Sequence, residues 1–245
     1  MNNTFNLNRF NQVLAYDWKR FIRNFGITLL VWISMPVMFW VTSLVFDFEM
    51  EPYMRIFVLA CILVITVMSA PSRIYGKVNL SREGVDFAML PASGLEQFLS
   101  MFFYCSIVTP ALTFVGSWLV DCFMTLLPFG GFIDYIPLWE LPDYSFGKYA
   151  SMIVAVIALV WAESSVFMFG NMIFKRRKAG KTFGWLLLIH FTLVLLLQLT
   201  DGWQLFDRIF GSDSLANAWI MNAIVLVIAC GFYYGTYRKI KTQKY

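Results

Sequence analysis

Six stretches of this chain carry almost no charge, and each is as long as a bilayer is thick. Between Arg23 and Asp47 lie 23 uncharged residues, between Arg55 and Arg73 there are 17, and between Glu96 and Asp121 there are 24. Lys181 to Asp201 encloses 19 and Asp213 to Arg238 encloses 24, while the 26 residues between Lys148 and Lys175 contain one charge, Glu163. A helical span needs about 20 predominantly apolar residues, and in lipid the backbone must satisfy its own hydrogen bonds, so helices are the natural form for such runs. The whole chain is 59% hydrophobic and 14% charged, whereas a soluble domain carries about 25% charged residues. The predicted class is therefore an all-α integral membrane protein. Its six transmembrane helices are expected at about 25–46, 54–74, 97–121, 149–174, 183–200 and 216–237.

The cations orient these spans. Four of the 19 Lys and Arg residues precede the first span (Arg9, Lys19, Arg20, Arg23), and three lie between the second and third (Arg73, Lys77, Arg82). Five lie between the fourth and fifth (Lys175, Arg176, Arg177, Lys178, Lys181), and four follow the sixth (Arg238, Lys239, Lys241, Lys244). The other three connections hold one each, Arg55, Lys148 and Arg208, and carry acids instead. Cytoplasmic loops carry the excess of Lys and Arg, which predicts both termini inside. Trp40, Trp118, Trp139, Trp203 and Trp219 fall near the outer boundaries, where interfacial aromatics collect. The first apolar run ends in no small-residue cleavage site at signal-peptide length and reads as a retained span.

Three segments look helical without being spans. The stretch 7–26 places Phe10, Val13, Leu14, Phe21 and Phe25 mostly on one face and Arg9, Tyr16, Lys19, Arg20 and Arg23 mainly on the other, so residues 1–24 are expected to form an N-terminal interfacial amphipathic helix. In the cytoplasmic element 78–96, Ser81 can cap a short helix from Arg82 to Leu90 that Pro91 ends, and Ser93 with Glu96 forms the S-x-x-E capping box of the third span. That short helix can pass force from a cytosolic partner to the membrane, or it can be a plain capped loop. Outside, the run from Asp201 alternates Trp203, Phe206, Ile209 and Phe210 with polar residues and suits a short helix in the outer leaflet. The outer connection 128–147, with three prolines, reads as an irregular cap of no legible role.

The stretch IFKRRKAGKTFG, Ile173 to Gly184, raises the question of nucleotide binding. Gly180, Lys181 and Thr182 match the end of a G-x-x-x-x-G-K-[ST] loop, but Lys175 stands where its first glycine must be, and an apolar helix rather than a strand precedes it. These cations are read as orienting the fourth and fifth spans. The chain is expected to be no enzyme, with no cofactor or metal of its own.

The segment SREGVDFAMLPASGLEQFLS resembles the pattern that follows the second span in permease (transmembrane) subunits of the type-2 exporter class of ABC transporters, with Arg82, Glu83, Gly84, Leu90, Pro91, Ala92, Ser93 and Glu96 at the matching positions. The layout is also similar: an amphipathic amino-terminal helix, six spans, both ends inside. The motif covers about 20 residues and the layout nearly the whole chain. The resemblance implies a permease that pairs as a homodimer or heterodimer, each copy docked on a separate ABC ATPase subunit that binds ATP and magnesium. It also implies that Arg82–Leu90, with Phe87 on it, is the coupling helix. Outside the motif the family signal is weak, which leaves the cargo open.

A few polar groups lie inside the expected spans. Glu163 falls deep in the fourth, where a carboxylate costs on the order of 2.5 kcal/mol or more. It is either part of a substrate path or proton relay, or a hydrogen-bonded group joining helices, with Ser164, Ser165 and Asn171 as expected donors. Asp121 is expected at the hydrated outer surface. His190, the only histidine, is expected to make an interhelical hydrogen bond. Gly231 and Gly235 form a GxxxG pair that permits close helix approach. The four cysteines, Cys61, Cys105, Cys122 and Cys230, read as packing groups.

The leading expectation is the membrane subunit of an ATP-driven exporter in the bacterial inner membrane, with lipid but no nucleic acid as a partner. The alternatives are a proton- or ion-coupled secondary transporter using Glu163, and a non-transporting membrane scaffold or immunity protein. Against the former, no internal repeat is visible.

Overall fold

The computed structural model describes residues 5–46, 52–78, 92–125, 146–199 and 215–242. These residues are helical almost throughout, and five helices among them are long and apolar enough to cross a membrane: Leu7–Phe46, Met54–Ile74, Gly94–Met124, Ala150–Ile173 and Leu215–Thr242. The protein is thus an all-helical, multi-pass membrane protein. The coupling element Arg82–Leu90, the cap at 128–147 and the run after Asp201 lie outside the described residues.

The chain forms two compact units. The first contains α1 (Leu7–Phe46), α2 (Pro52–Ile74) and a third helical run made of α3 (Gly94–Phe102), a π-helical segment (Phe103–Val108) and α4 (Thr109–Thr125). α1 buries Val13, Asp17, Phe21, Phe25 and Leu29, one residue per turn, against the others. The boundary expected at residues 24 and 25 is no break: α1 is continuous through 40 residues. At 1.5 Å per residue it is about 60 Å long, twice the hydrocarbon thickness. Gly26 alone does not end a helix, and the aromatic face expected to lie in lipid packs on protein instead, with Phe21 5.7 Å from Tyr104. At Gly116 on α4 an added Cβ would come within 2.8 Å of Ile33 on α1, so the missing side chain lets the two helices close up.

The third run starts as its sequence predicts. Ser93 adopts an extended backbone and caps α3, with its hydroxyl accepting from the Glu96 amide while the Glu96 carboxylate accepts from the Ser93 amide. The π-helical turn was not visible in the sequence pattern. There the Thr109 amide and hydroxyl both donate to the Tyr104 carbonyl, five residues back. Pro110 follows without an amide hydrogen to continue the ladder, and such widened turns often sit at functional places.

The second unit contains residues 76–78, α5 (Phe146–Ile173), α6 (Lys178–Leu199) and α7 (Leu215–Thr242). α5 and α7 lie parallel. Asn222 donates to the Ser151 carbonyl at 2.9 Å, Tyr233 to that of Trp161 at 3.0 Å, and Gly235 faces the Phe169 ring, so the register advances together along both helices. The chain must therefore return the length of this pair between residues 173 and 215, and the 22 residues of α6, about 33 Å long, lie in that interval. The turn into α6 holds Arg177 at φ 50°, a left-handed conformation that costs a side-chain-bearing residue about 1–2 kcal/mol. α6 then crosses tightly over α5, where a Cβ on Gly170 would overlap the Thr182 hydroxyl. Replacing Gly170 by alanine should lower the unfolding free energy by about 1–3 kcal/mol through this overlap, read as a lower melting temperature in detergent, with partial recovery in the Gly170→Ala/Thr182→Ala double variant.

Candidate functional site

Two polar clusters stand at opposite ends of the first unit. At one end is Asp17, fully buried on α1. The Ser100 hydroxyl donates to its Oδ2 at 2.6 Å, the Tyr75 hydroxyl to the same oxygen at 3.0 Å, and Arg20 Nη1 to Oδ1 at 3.3 Å. The Arg20 guanidinium lies 5.1 Å over the Tyr16 ring and 5.7 Å over that of Tyr75. A second buried carboxylate, Glu96, adds to this end. Beyond its capping bond from Ser93, its Oε1 accepts from the Asn6 amide at 2.8 Å and from Arg9 Nη2 at 3.0 Å. Tyr104, in the π-helical segment, donates to the Leu14 carbonyl at 2.8 Å. α1 and the first turns of the third run are thus fastened at three levels.

At the other end Asp121 is buried rather than hydrated as expected from its sequence position. Arg55 reaches it with both Nη2 and, at 3.3 Å, Nε, and Trp40 Nε1 donates to it at 3.1 Å. The Arg55 guanidinium also sits 5.6 Å from the Trp40 ring. Trp40 is therefore buried and hydrogen-bonded, whereas Trp118 and Trp219 are exposed as interfacial aromatics should be. Arg55, on the first turn of α2, is the reason: its guanidinium donates to the Asp121 carboxylate, which also accepts the Trp40 indole N–H.

The spacing of the clusters is the informative quantity. Asp17 and Trp40 are 23 residues apart on α1, Arg55 and Tyr75 20 apart on or just beyond α2, and Ser100 and Asp121 21 apart on the third run. At 1.5 Å per residue these are about 30–35 Å, the thickness of a hydrocarbon core. The clusters thus stand about one bilayer thickness apart on each helix. Within that length α1 still carries Lys19, Arg20 and Arg23 near the Asp17 end, and the buried hydroxyls of Thr66, Thr109, Thr113 and Ser117 donate to carbonyls of their own helical run. Asp17, Arg55 and the partners of Asp121 had no motif to mark them in the sequence; a two-edge search for polar residues about 21 apart on all three runs would have found them.

The second unit differs. Glu163 is half-buried on α5, and the donors expected for it are turned elsewhere: Ser164 Oγ lies 3.8 Å from Met168 Sδ, and Ser165 donates to the Ala162 carbonyl at 2.7 Å. Asn171 is buried two turns further on. Their direction is set by helical position, since Ser164 and Ser165 are fully buried while Glu163 sits at the margin of that face. His190 is exposed on α6 and makes no interhelical hydrogen bond among the described residues; from Phe183 to Thr192 every position but Leu186 is exposed. Of the glycine pair, Gly235 lets α7 approach to 2.8 Å of the Phe169 ring for an added Cβ, but Gly231 faces open space. Cys105 is buried, Cys61 and Cys122 are half-buried, and Cys230 is exposed rather than packed.

Lys178, the first residue of α6, is buried and donates to the Gly76 carbonyl. Desolvation pulls its amine down to about 8. No protein-family model, curated protein or solved structure matches the chain.

Two predictions follow from these geometries. Removing one member of the Arg55–Asp121 pair leaves a buried charge, so Arg55→Ala or Asp121→Ala should each cost about 3–5 kcal/mol. The joint Arg55→Leu/Asp121→Leu variant should cost clearly less than the sum, read from a double-mutant cycle of unfolding in detergent. For Lys178 the unfolded chain holds the proton to higher pH than the folded one, so stability should rise between pH 8 and the ordinary lysine range. That slope should be absent in Lys178→Met.

Proposed function

We propose that this chain is the membrane-spanning subunit of an ATP-driven exporter of the type-2 ABC class, working as a dimer on separate ATPase subunits in a bacterial inner membrane. The supporting observation is the fate of Glu96, the last acid of the segment that resembles the family's coupling element. It is buried, it starts the third helical run, and it grips Asn6 and Arg9 of the amino-terminal helix. A push delivered at Arg82–Leu90, which ends six residues before this anchor, would reach the first and third helices together. The return of the chain between α5 and α7 favours α6 as a sixth crossing, with both termini in the cytoplasm on the side where sixteen of the nineteen Lys and Arg residues fall.

Co-purification tests this reading. The wild-type chain expressed in its native cell should retain an ATPase subunit whose activity it stimulates, and Glu83→Ala/Phe87→Ala should lose that subunit without loss of fold. Absence of any associated ATPase from the wild-type preparation would defeat the proposal. Glu163, half-buried and outside any ion pair among the described residues, favours the ion-coupled carrier as second reading. Transport that survives ATP depletion but stops with a protonophore and with Glu163→Gln would favour it.

A further inference from the structure

The cations of the two units are treated differently. In the first, Arg9 is paired with buried Glu96, Arg20 with buried Asp17 and Arg55 with buried Asp121, while Lys19 and Arg23 on α1 are exposed. In the second, Lys175 and Arg176 in the α5–α6 turn, Lys181 on α6, and Arg238, Lys239 and Lys241 at the end of α7 are all exposed. None of these six forms an ion pair among the described residues. The one acid among the described residues of this unit is Glu163, ten positions before the end of α5 and so about 15 Å up the helix.

The helix register brings the cations to one level. Because Gly235 faces Phe169, the end of α7 and the turn that follows Ile173 lie within about 10 Å of each other along the shared axis. The first turn of α6, which starts there, carries no acid to occupy its free amide groups. Immediately beside this basic rim the surface is apolar: Ile173, Phe183, Trp185 and Tyr234 are 45–61% exposed. Lys181 holds its amine 5.9 Å from the Phe174 ring, its stem along the aromatic surface and its charge at the edge. A ligand that suits this place must be negative at one end and greasy at the other. A soluble anion or a nucleic acid meets only half of that description.

We propose that this rim is a binding site for an anionic phospholipid. The headgroup phosphate sits among Lys175, Arg176 and Lys181 with the last turn of α7 beside it, and the acyl chains lie on the apolar side chains next to the rim. Clusters of cations at the end of a membrane helix recognise anionic headgroups in this way, each cation adding to the affinity. The assignment does not depend on what the protein transports, or on whether it transports.

Native mass spectrometry of the purified full chain tests it, with phosphatidylglycerol and phosphatidylcholine added in turn. Phosphatidylglycerol should be retained preferentially, and Lys175→Gln/Arg176→Gln/Lys181→Gln should reduce that retention on the order of tenfold or more. Lys19→Gln/Arg23→Gln, which removes exposed cations from α1, should leave it unchanged. Equal retention of the two lipids, or undiminished retention by the triple variant, overturns the proposal. So does inorganic phosphate that displaces the lipid at low millimolar concentration, which would make the rim a soluble-anion site. Should the triple variant fail to fold, two measurements remain: Lys175→Arg/Lys181→Arg must retain the lipid like wild type, and wild-type retention must fall as salt is raised. Failure of either sinks the idea.

Discussion

A carboxylate cannot be left alone inside a bundle whose outer faces meet lipid. Removing such an ion from water costs several kcal/mol, and only donors of good geometry offset it. In the first unit this requirement organises everything else. Asp17 takes three side-chain donors, Arg20 from its own helix and Tyr75 and Ser100 from distant parts of the chain. Glu96 takes the local Ser93 amide together with the Asn6 amide and the Arg9 guanidinium from the amino-terminal end. Asp121 takes an arginine and an indole at the far end. Because the partners come from α1, α2 and the third run, satisfying the charges also sets how these helices lie lengthwise. A slip of one turn, about 5.4 Å, would orphan a buried ion at both ends at once. The uncharged run from Asn24 to Phe46 on α1 and its counterparts on the other two helices lie between or beside these bonds and have the length a bilayer core requires, so the bonds that set axial register also align those runs.

The second unit is held by weaker and shorter-range means. Backbone carbonyls at Ser151 and Trp161 accept from Asn222 and Tyr233, and glycines at positions 170 and 235 remove side chains where helices touch. Without a water-driven hydrophobic force between helices in lipid, close packing and such polar bonds are the forces available. α6 departs from α5 after its first turns, and its exposed leucines and phenylalanines beyond Phe183 are normal for a helix facing acyl chains. The contrast bears on mechanism. If the chain is the proposed exporter subunit, the segment that resembles a coupling helix comes directly before the third run of the strongly fastened unit in sequence, and a displacement there would be passed on with little slack. The π-helical turn at Phe103–Val108 forms the last level of the fastened stretch, where Tyr104 donates to the Leu14 carbonyl.

Much of the architecture could be read before any coordinates. Uncharged runs gave helix positions to within a few residues, and the S-x-x-E pattern at Ser93 gave the start of the third helix, because both are local signals with a fixed period. The amino-terminal helix was misjudged for the same reason. A face of Phe and Val opposite a face of Arg and Lys has one pattern whether it lies on lipid or on Tyr104. The polar residues fared worse. Ser164 and Ser165 are beside Glu163 in sequence but point away from it, and Asp121, uncompensated in its own segment, finds Arg55 66 positions away.

What the sequence by itself determined is the class of structure: a hydropathy too high for water and bilayer-length runs with at most one charge leave membrane helices as the natural way to satisfy the backbone. What only the tertiary structure decided is which charges are neutralised and which are not. Asp17, Glu96 and Asp121 become internal fasteners while the cations around Lys175 and Lys239 stay open to a ligand. That distinction rests on contacts between residues far apart in the chain, and no local pattern of side chains encodes a distance across helices.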